Sequence, residues 1–80
     1  MATYDPMLAQ RVIVLQVLDQ EHPERWTLAE LIQESPDLDP RAMRDGLARL
    51  AAEGVVIRDG ETVTASRCTR HLDELEVVAI

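Results

Sequence analysis

The chain predicts a mainly α fold with a small β-hairpin: a three-helix core, the hairpin, and a C-terminal helix or tail. Three observations carry this. Thr27 and Glu30 stand three apart around Leu28, Leu31 and Ile32, a capping box that opens a short helix. Asp39-Pro40 then opens another helix, whose Met43, Leu47 and Leu50 recur at spacings of four and three. Asp59-Gly60 lies between two short apolar and β-branched runs, 55–58 and 61–65, the pattern of a hairpin with a type I′ turn.

The first helix should open at Asp5-Pro6, where Asp is a good cap and Pro is tolerated in the first turn. It should run to about Gln20, ahead of Glu21-His22-Pro23. The β-branched run 11–18 also permits a strand, but length and the cap favour a helix. At about 100° per residue its apolar side chains form no single stripe. Leu8, Val12 and Leu15 face one way, Met7, Val14, Val17 and Leu18 another, and Ile13 a third. Such a helix needs cover on more than one side, from a second copy of the chain or from the C-terminal segment.

The capping-box helix should stop at Ser35-Pro36, because a residue before proline disfavours α geometry. Leu38, alone among polar residues, should plug the core in the turn. The next helix, 40–53, should end at Gly54 in the left-handed conformation. Its outward face carries Arg41, Asp45, Ala48 and Ala52, with Arg44 and Arg49 on the flanks. Ser66 should cap a last helix, Arg67 to Leu75, held by Leu72 and Leu75. Val77–Ile80 reads as an apolar strand or flap.

Eighty residues suit one domain, residues 1–80, with a core at 6–65 and a helix or tail at 66–80. An apolar fraction of 46% argues for a folded chain. No apolar run is long enough to span a membrane, and the N-terminus lacks a signal peptide's basic start. A lone Cys68 closes no internal disulfide, so the cytoplasm is the expected compartment. Net charge is −7, and every basic residue is arginine. Residues 1–40 hold two arginines and eight acids, 41–70 six and four, and 71–80 none and three. The only basic excess therefore falls on the helix 40–53, the hairpin and the start of the last helix.

His22, Cys68 and His71 are the only imidazole or thiol groups. Cys68 and His71 share a helical spacing, but nothing with zinc-site spacing joins them. No nucleophile–base set or glycine-rich phosphate loop is present. The expectation is a non-enzyme without metal or cofactor.

Trp26-Thr27-Leu28-Ala29-Glu30-Leu31, then 41–50, then Glu53-Gly54-Val55-Val56, resembles the winged helix-turn-helix family of small bacterial DNA-binding regulators, over about residues 7–65. The resemblance implies a sequence-specific transcriptional regulator. Helix 40–53 would lie in the major groove of double-stranded DNA, and the wing, 55–65, on backbone or minor groove. It also places Trp26 on the family's short first strand, as a core anchor between helices and wing. A homodimer through helix 6–20 and the C-terminal segment would set two such helices about 34–36 Å apart. Asp45, where many members carry a basic or polar residue, and the overall acidity fit a second reading, a winged-helix module that binds protein rather than DNA.

Candidate DNA contacts are Arg41, Arg44, Asp45, Arg49, Arg58 and Thr27. Arg41 and Arg44 lie in the first turn or so, the part that reaches base edges, and arginine can grip guanine or phosphate with two N–H groups. Ala48 and Ala52 leave room for close approach. This reading requires Arg41 and Arg44 to project unneutralised towards solvent. The competing possibility is that Arg41–Asp45 and Asp45–Arg49 pair along the helix, at about 0.2–0.5 kcal/mol each. Arg58, bracketed by Asp59 and Glu61, would meet phosphate from the wing. The N–H groups after Thr27 could hold a phosphate, or Thr27 could serve only as a cap. Arg67 and Arg70 could extend the basic surface, or Arg70 could pair with Asp73 and Glu74.

Overall fold

The computed structural model describes residues 2–19 and 25–76. In chain order they form α1 (Pro6–Val17), β1 (Trp26–Thr27), α2 (Leu28–Gln33), α3 (Pro40–Ala52), β2 (Val56–Asp59), β3 (Thr62–Ala65) and α4 (Arg67–Glu74). The strands make one antiparallel sheet in the order β1-β3-β2.

Each helix start is fixed by an oxygen placed to accept free backbone N–H groups. Asp5 accepts from the N–H of Leu8 at 3.0 Å. Thr27 accepts from the N–H of Glu30, and Glu30 reaches back to the N–H of Thr27, both at 3.1 Å. Asp39 accepts from the N–H of Arg41 at 2.8 Å. Ser66 accepts from the N–H of Thr69 at 3.3 Å. The end of α3 is equally local. Gly54 takes φ +76°, and the N–H groups of Gly54 and Val55 return to the carbonyls of Ala51 and Leu50, which closes the last turn as a Schellman motif.

α1 is shorter than its sequence suggests. It ends at Val17, and the N–H of Asp19 bonds back three residues to Gln16, a tightened final turn. Gln20 and His22 lie outside the described residues. The buried face of α1 is also not one of the two larger apolar groups. Ala9, Ile13 and Val17 go inward against α3, Val12, Val14 and Leu18 are half-buried beside them, and Met7, Leu8 and Leu15 stay exposed. The cause is Gly46 on α3. A Cβ added there would lie 3.1 Å from the Cβ of Ala9 and 3.2 Å from the backbone of Pro6 and Gln10. The two helices meet where side chains are smallest, and that contact decides which stripe of α1 is covered.

Ile13, Leu31, Met43, Leu47 and Val63 are the largest fully buried side chains, drawn from both long helices, α2 and the sheet. Leu38 fills the turn between α2 and α3, and Trp26 is buried on β1 opposite Val63.

The hairpin differs in its turn. Asp59 pairs with Thr62, so Asp59 ends its strand and Gly60-Glu61 form the two-residue loop. Only Gly60 has positive φ, +61°. A positive φ confined to the first central position is the type II′ pattern, not type I′. α4 also docks differently. Leu72 and Leu75 are 39% and 57% exposed. The helix is held instead at its start, where buried Thr69 donates its hydroxyl to the carbonyl of Val55 at 2.8 Å. The expected apolar flap, Val77–Ile80, lies outside the described residues.

Candidate nucleic-acid interface

α3 turns Ala42, Met43, Gly46, Leu47 and Leu50 inward, which leaves Arg41, Arg44, Asp45, Ala48, Arg49 and Ala52 exposed. The turn before it is tied down from an unexpected side. The backbone of Thr3 donates to the carbonyl of Asp37 and accepts from the N–H of Asp39, both at 2.8 Å, making a parallel bridge beside Leu38. The N-terminal arm is thereby fixed across the approach to α3. It carries Tyr4 onto the first two turns of the exposed face.

Tyr4 joins two of the candidate residues. Its hydroxyl donates to Oδ2 of Asp45, and the Arg41 guanidinium sits over its ring, 5.8 Å from the centroid, within the range of a cation–π contact. Its hydrogen bond to Asp45 above all, then desolvation and the Asp45 charge, raise the phenol's pKa. Arg41 is also held by Asp39, which accepts from its Nε at 3.3 Å and its Nη2 at 2.9 Å. The Arg41 side chain is 75% exposed and that of Asp39 19%. The Arg41 side chain, then its backbone N–H, holds the Asp39 carboxyl below the usual range, while Asp39 raises Arg41.

The two helical pairs considered from sequence, Arg41–Asp45 and Asp45–Arg49, are not formed. Arg41 turns back to Asp39, Asp45 takes Tyr4, and Arg49 turns forward to Glu53 at 3.3 Å. The reason is that Asp39 already points at the start of α3 as its cap, and Tyr4 reaches Asp45 from another segment. Arg44 makes no hydrogen bond or ion pair among the described residues. Of the two arginines near the start of α3, then, Arg41 is paired and Arg44 is not, although the Arg44 charge also helps to lower the Asp39 pKa. Arg41 still has donors to spare, because a guanidinium carries five N–H groups and Asp39 takes two.

On the hairpin, Arg58 is exposed and its Nε donates to the carbonyl of Gly60 at 3.2 Å, so it curls over its own turn. The Thr27 side chain is committed to Glu30 as both acceptor and donor. Arg70 does not pair with Asp73 or Glu74. Its Nε donates to the carbonyl of Ala65 at 3.3 Å, and Glu74 lies 3.8 Å from His71 instead. Arg67 has no partner among the described residues. Arg67, Arg70, His71 and Glu74 line a shallow, open depression on α4. Among the described residues, no group of three or more His, Cys, Asp or Glu side chains could hold a metal, and no helix is long and apolar enough to cross a membrane.

The sequence did not single out Tyr4 as part of this surface. Its only local signal is its place just before the Asp5 cap. Asp39 was legible as a cap but not as the partner of the Arg41 side chain.

A helix, a short strand, two helices joined by a tight turn, a β-hairpin wing and the strand order β1-β3-β2 define a winged helix-turn-helix protein. A crystal structure of a MarR family protein from Mycobacterium tuberculosis is similar to it, with a TM-score of 0.68 and 25% sequence identity. The match covers 89% of this chain and 52% of that one, so the chain spans about half the length of this neighbour. No protein-family model and no curated protein matches the chain.

Proposed function

We propose that this chain is a sequence-specific DNA-binding transcriptional regulator of the cytoplasm, residues 1–80 acting as one winged helix-turn-helix domain within a homodimer. α3 enters the major groove, and the wing lies on the backbone or minor groove. The observation that carries this reading is the N-terminal part of α3. Arg44 stands there exposed and unpaired, Arg41 retains free N–H groups, and Ala48 and Ala52 leave the next turns low enough for close approach. The winged fold shared with a MarR family protein supports it. Arg49 and Arg58 would contact phosphate by exchanging partners, and Thr27 would lie at the groove's edge as a cap.

The dimer reading rests on the exposed apolar residues Met7, Leu8 and Leu15 on α1, Leu72 on α4 and Leu75 at its C-terminal cap. Sedimentation equilibrium should give a dimer, and Leu15→Glu should shift it to monomer.

Fluorescence anisotropy with genomic duplexes tests the DNA reading. Affinity should fall with salt, at a slope of about −0.9 per phosphate contacted, and Arg44→Ala should weaken it. Binding unchanged with both Arg41 and Arg44 as Ala would remove α3 as the reading element. The Arg41–Asp39 and Arg49–Glu53 pairs and the −7 charge favour the second reading, a protein-interaction module. A pull-down that returns a protein and no nucleic acid, in a complex insensitive to salt, would establish that alternative.

A further inference from the structure

The N-terminal arm sets two opposite kinds of hydrogen-bonding group side by side on the exposed face of α3. Arg41 is a donor, clamped between Asp39 and the Tyr4 ring. Asp45 is an acceptor, turned by the Tyr4 hydroxyl. Tyr4 is itself fixed, because Thr3 beside it is bonded by its backbone on both edges of the turn. Arginine and aspartate on a solvated helix ordinarily sample many rotamers. Here one aromatic side chain restrains both before any ligand arrives, which removes part of the ordering cost of binding.

The atoms left free point to a partner chemistry. Asp39 occupies the Nε and one Nη2 hydrogen of Arg41, which leaves the terminal Nη1/Nη2 fork, the geometry that grips O6 and N7 of guanine. Tyr4 occupies Oδ2 of Asp45, which leaves Oδ1 to accept. In the major groove a carboxylate finds a suitable donor in the N4 amino group of cytosine. Adenine also offers an amino group but sets its N7 lone pair beside it, which repels a carboxylate. Positions 41 and 45 are one turn apart, about 6 Å along the helix, comparable with about one to two base-pair steps.

We propose that Tyr4 makes Arg41 and Asp45 a fixed donor–acceptor pair that reads a guanine and a cytosine about one to two base pairs apart in each half-site. Tyr4 is a positioning residue for both readers. This inference rests on the proposal that α3 lies in the major groove, and it gives the acidic residue on that helix a specific partner.

Selection of duplexes from a randomised pool, followed by anisotropy on single-base variants of the selected site, tests it. The wild-type protein should select a guanine and a cytosine at that spacing. Asp45→Asn should move the preference at the cytosine position to adenine, because an amide can bond both N6 and N7. Tyr4→Phe keeps the ring under Arg41 and removes only the hydroxyl. It should lower discrimination at the cytosine about tenfold and leave the guanine preference intact. Arg44→Ala reports on the underlying DNA reading and should weaken binding to the selected duplex. If Arg44→Ala weakens binding while Tyr4→Phe and Asp45→Asn leave the base preferences unchanged, the inference fails and the DNA reading stands. If Tyr4→Phe tightens binding to every duplex equally, Tyr4 is a cover over α3 and the positioning role is overturned. If the wild-type protein binds no duplex, both fall together. Circular dichroism melts of each variant separate these outcomes from loss of fold.

Discussion

The Tyr4 hydroxyl donates to the Asp45 carboxylate across 41 positions of sequence, and so ties the N-terminal arm to the outer face of α3. One bond joins the segment before the first helix to the middle of the third, and it organises the surface proposed to read DNA.

That bond is open to direct observation. Tyr4 is the single tyrosine, so tyrosinate absorbance reports on it alone. Asp45 favours the protonated phenol, so the folded-state pKa lies above the ordinary value of about 10. The resulting contribution to stability is present below pH ~10 and is lost as pH rises through the folded pKa. Asp45→Asn should bring the titration midpoint down towards the ordinary value. A midpoint unmoved by that substitution would show that the hydroxyl lies elsewhere in solution.

Gly46 should resist enlargement. Its missing Cβ faces Ala9 and the backbone of α1 at 3.1–3.2 Å, and backbone cannot move aside as a flexible side chain can. Gly46→Val should destabilise the fold by about 1–3 kcal/mol through overpacking. Gly46→Ala should cost less, because the gain in helix propensity of about 1 kcal/mol offsets part of the strain. Urea denaturation at constant m-value measures both, and a stabilising Gly46→Val would mean the helices are not this close.

Thr27 separates cap from contact. Both of its hydroxyl bonds go to Glu30. Thr27→Ala should therefore lower stability by about 1 kcal/mol and leave DNA affinity within twofold at temperatures where the variant is folded. A tenfold loss of affinity would instead assign Thr27 to phosphate.

Thr69 is the polar pin of α4. Thr69→Val keeps the shape of the side chain but removes two bonds: the one to the carbonyl of Val55, which still accepts from the N–H of Ser66 at 3.0 Å, and the one that the buried Ser66 hydroxyl donates to Thr69 at 3.1 Å. The expected loss is about 1–3 kcal/mol, with faster amide exchange confined to α4. Uniformly faster exchange would mean that the helix is integral to the core.

The helix starts and the position of the hairpin were legible from sequence. Asp5-Pro6, the Thr27/Glu30 box, Asp39-Pro40, Gly54 and Ser66 act on backbone groups within a few residues, so their meaning does not depend on the rest of the chain. The turn type was not legible, because register with β3 placed Asp59 in the strand and left Gly60-Glu61 to make the loop. The covered face of α1 was not legible either. Ile13 sat apart from both larger apolar groups, and only the close approach of Gly46 to Ala9 selected its stripe.

The charged surface was the least legible part. Exposed ion pairs differ by less than about 1 kcal/mol, so spacing alone cannot choose among Asp39, Asp45 and Glu53 as partners for Arg41 and Arg49. Sequence determined by itself that a helix with arginines near its start would precede a wing, because caps and periodicity are short-range. Tertiary structure alone decided which arginine stays free and that Tyr4 stands between Arg41 and Asp45, because those outcomes depend on where a distant segment comes to rest.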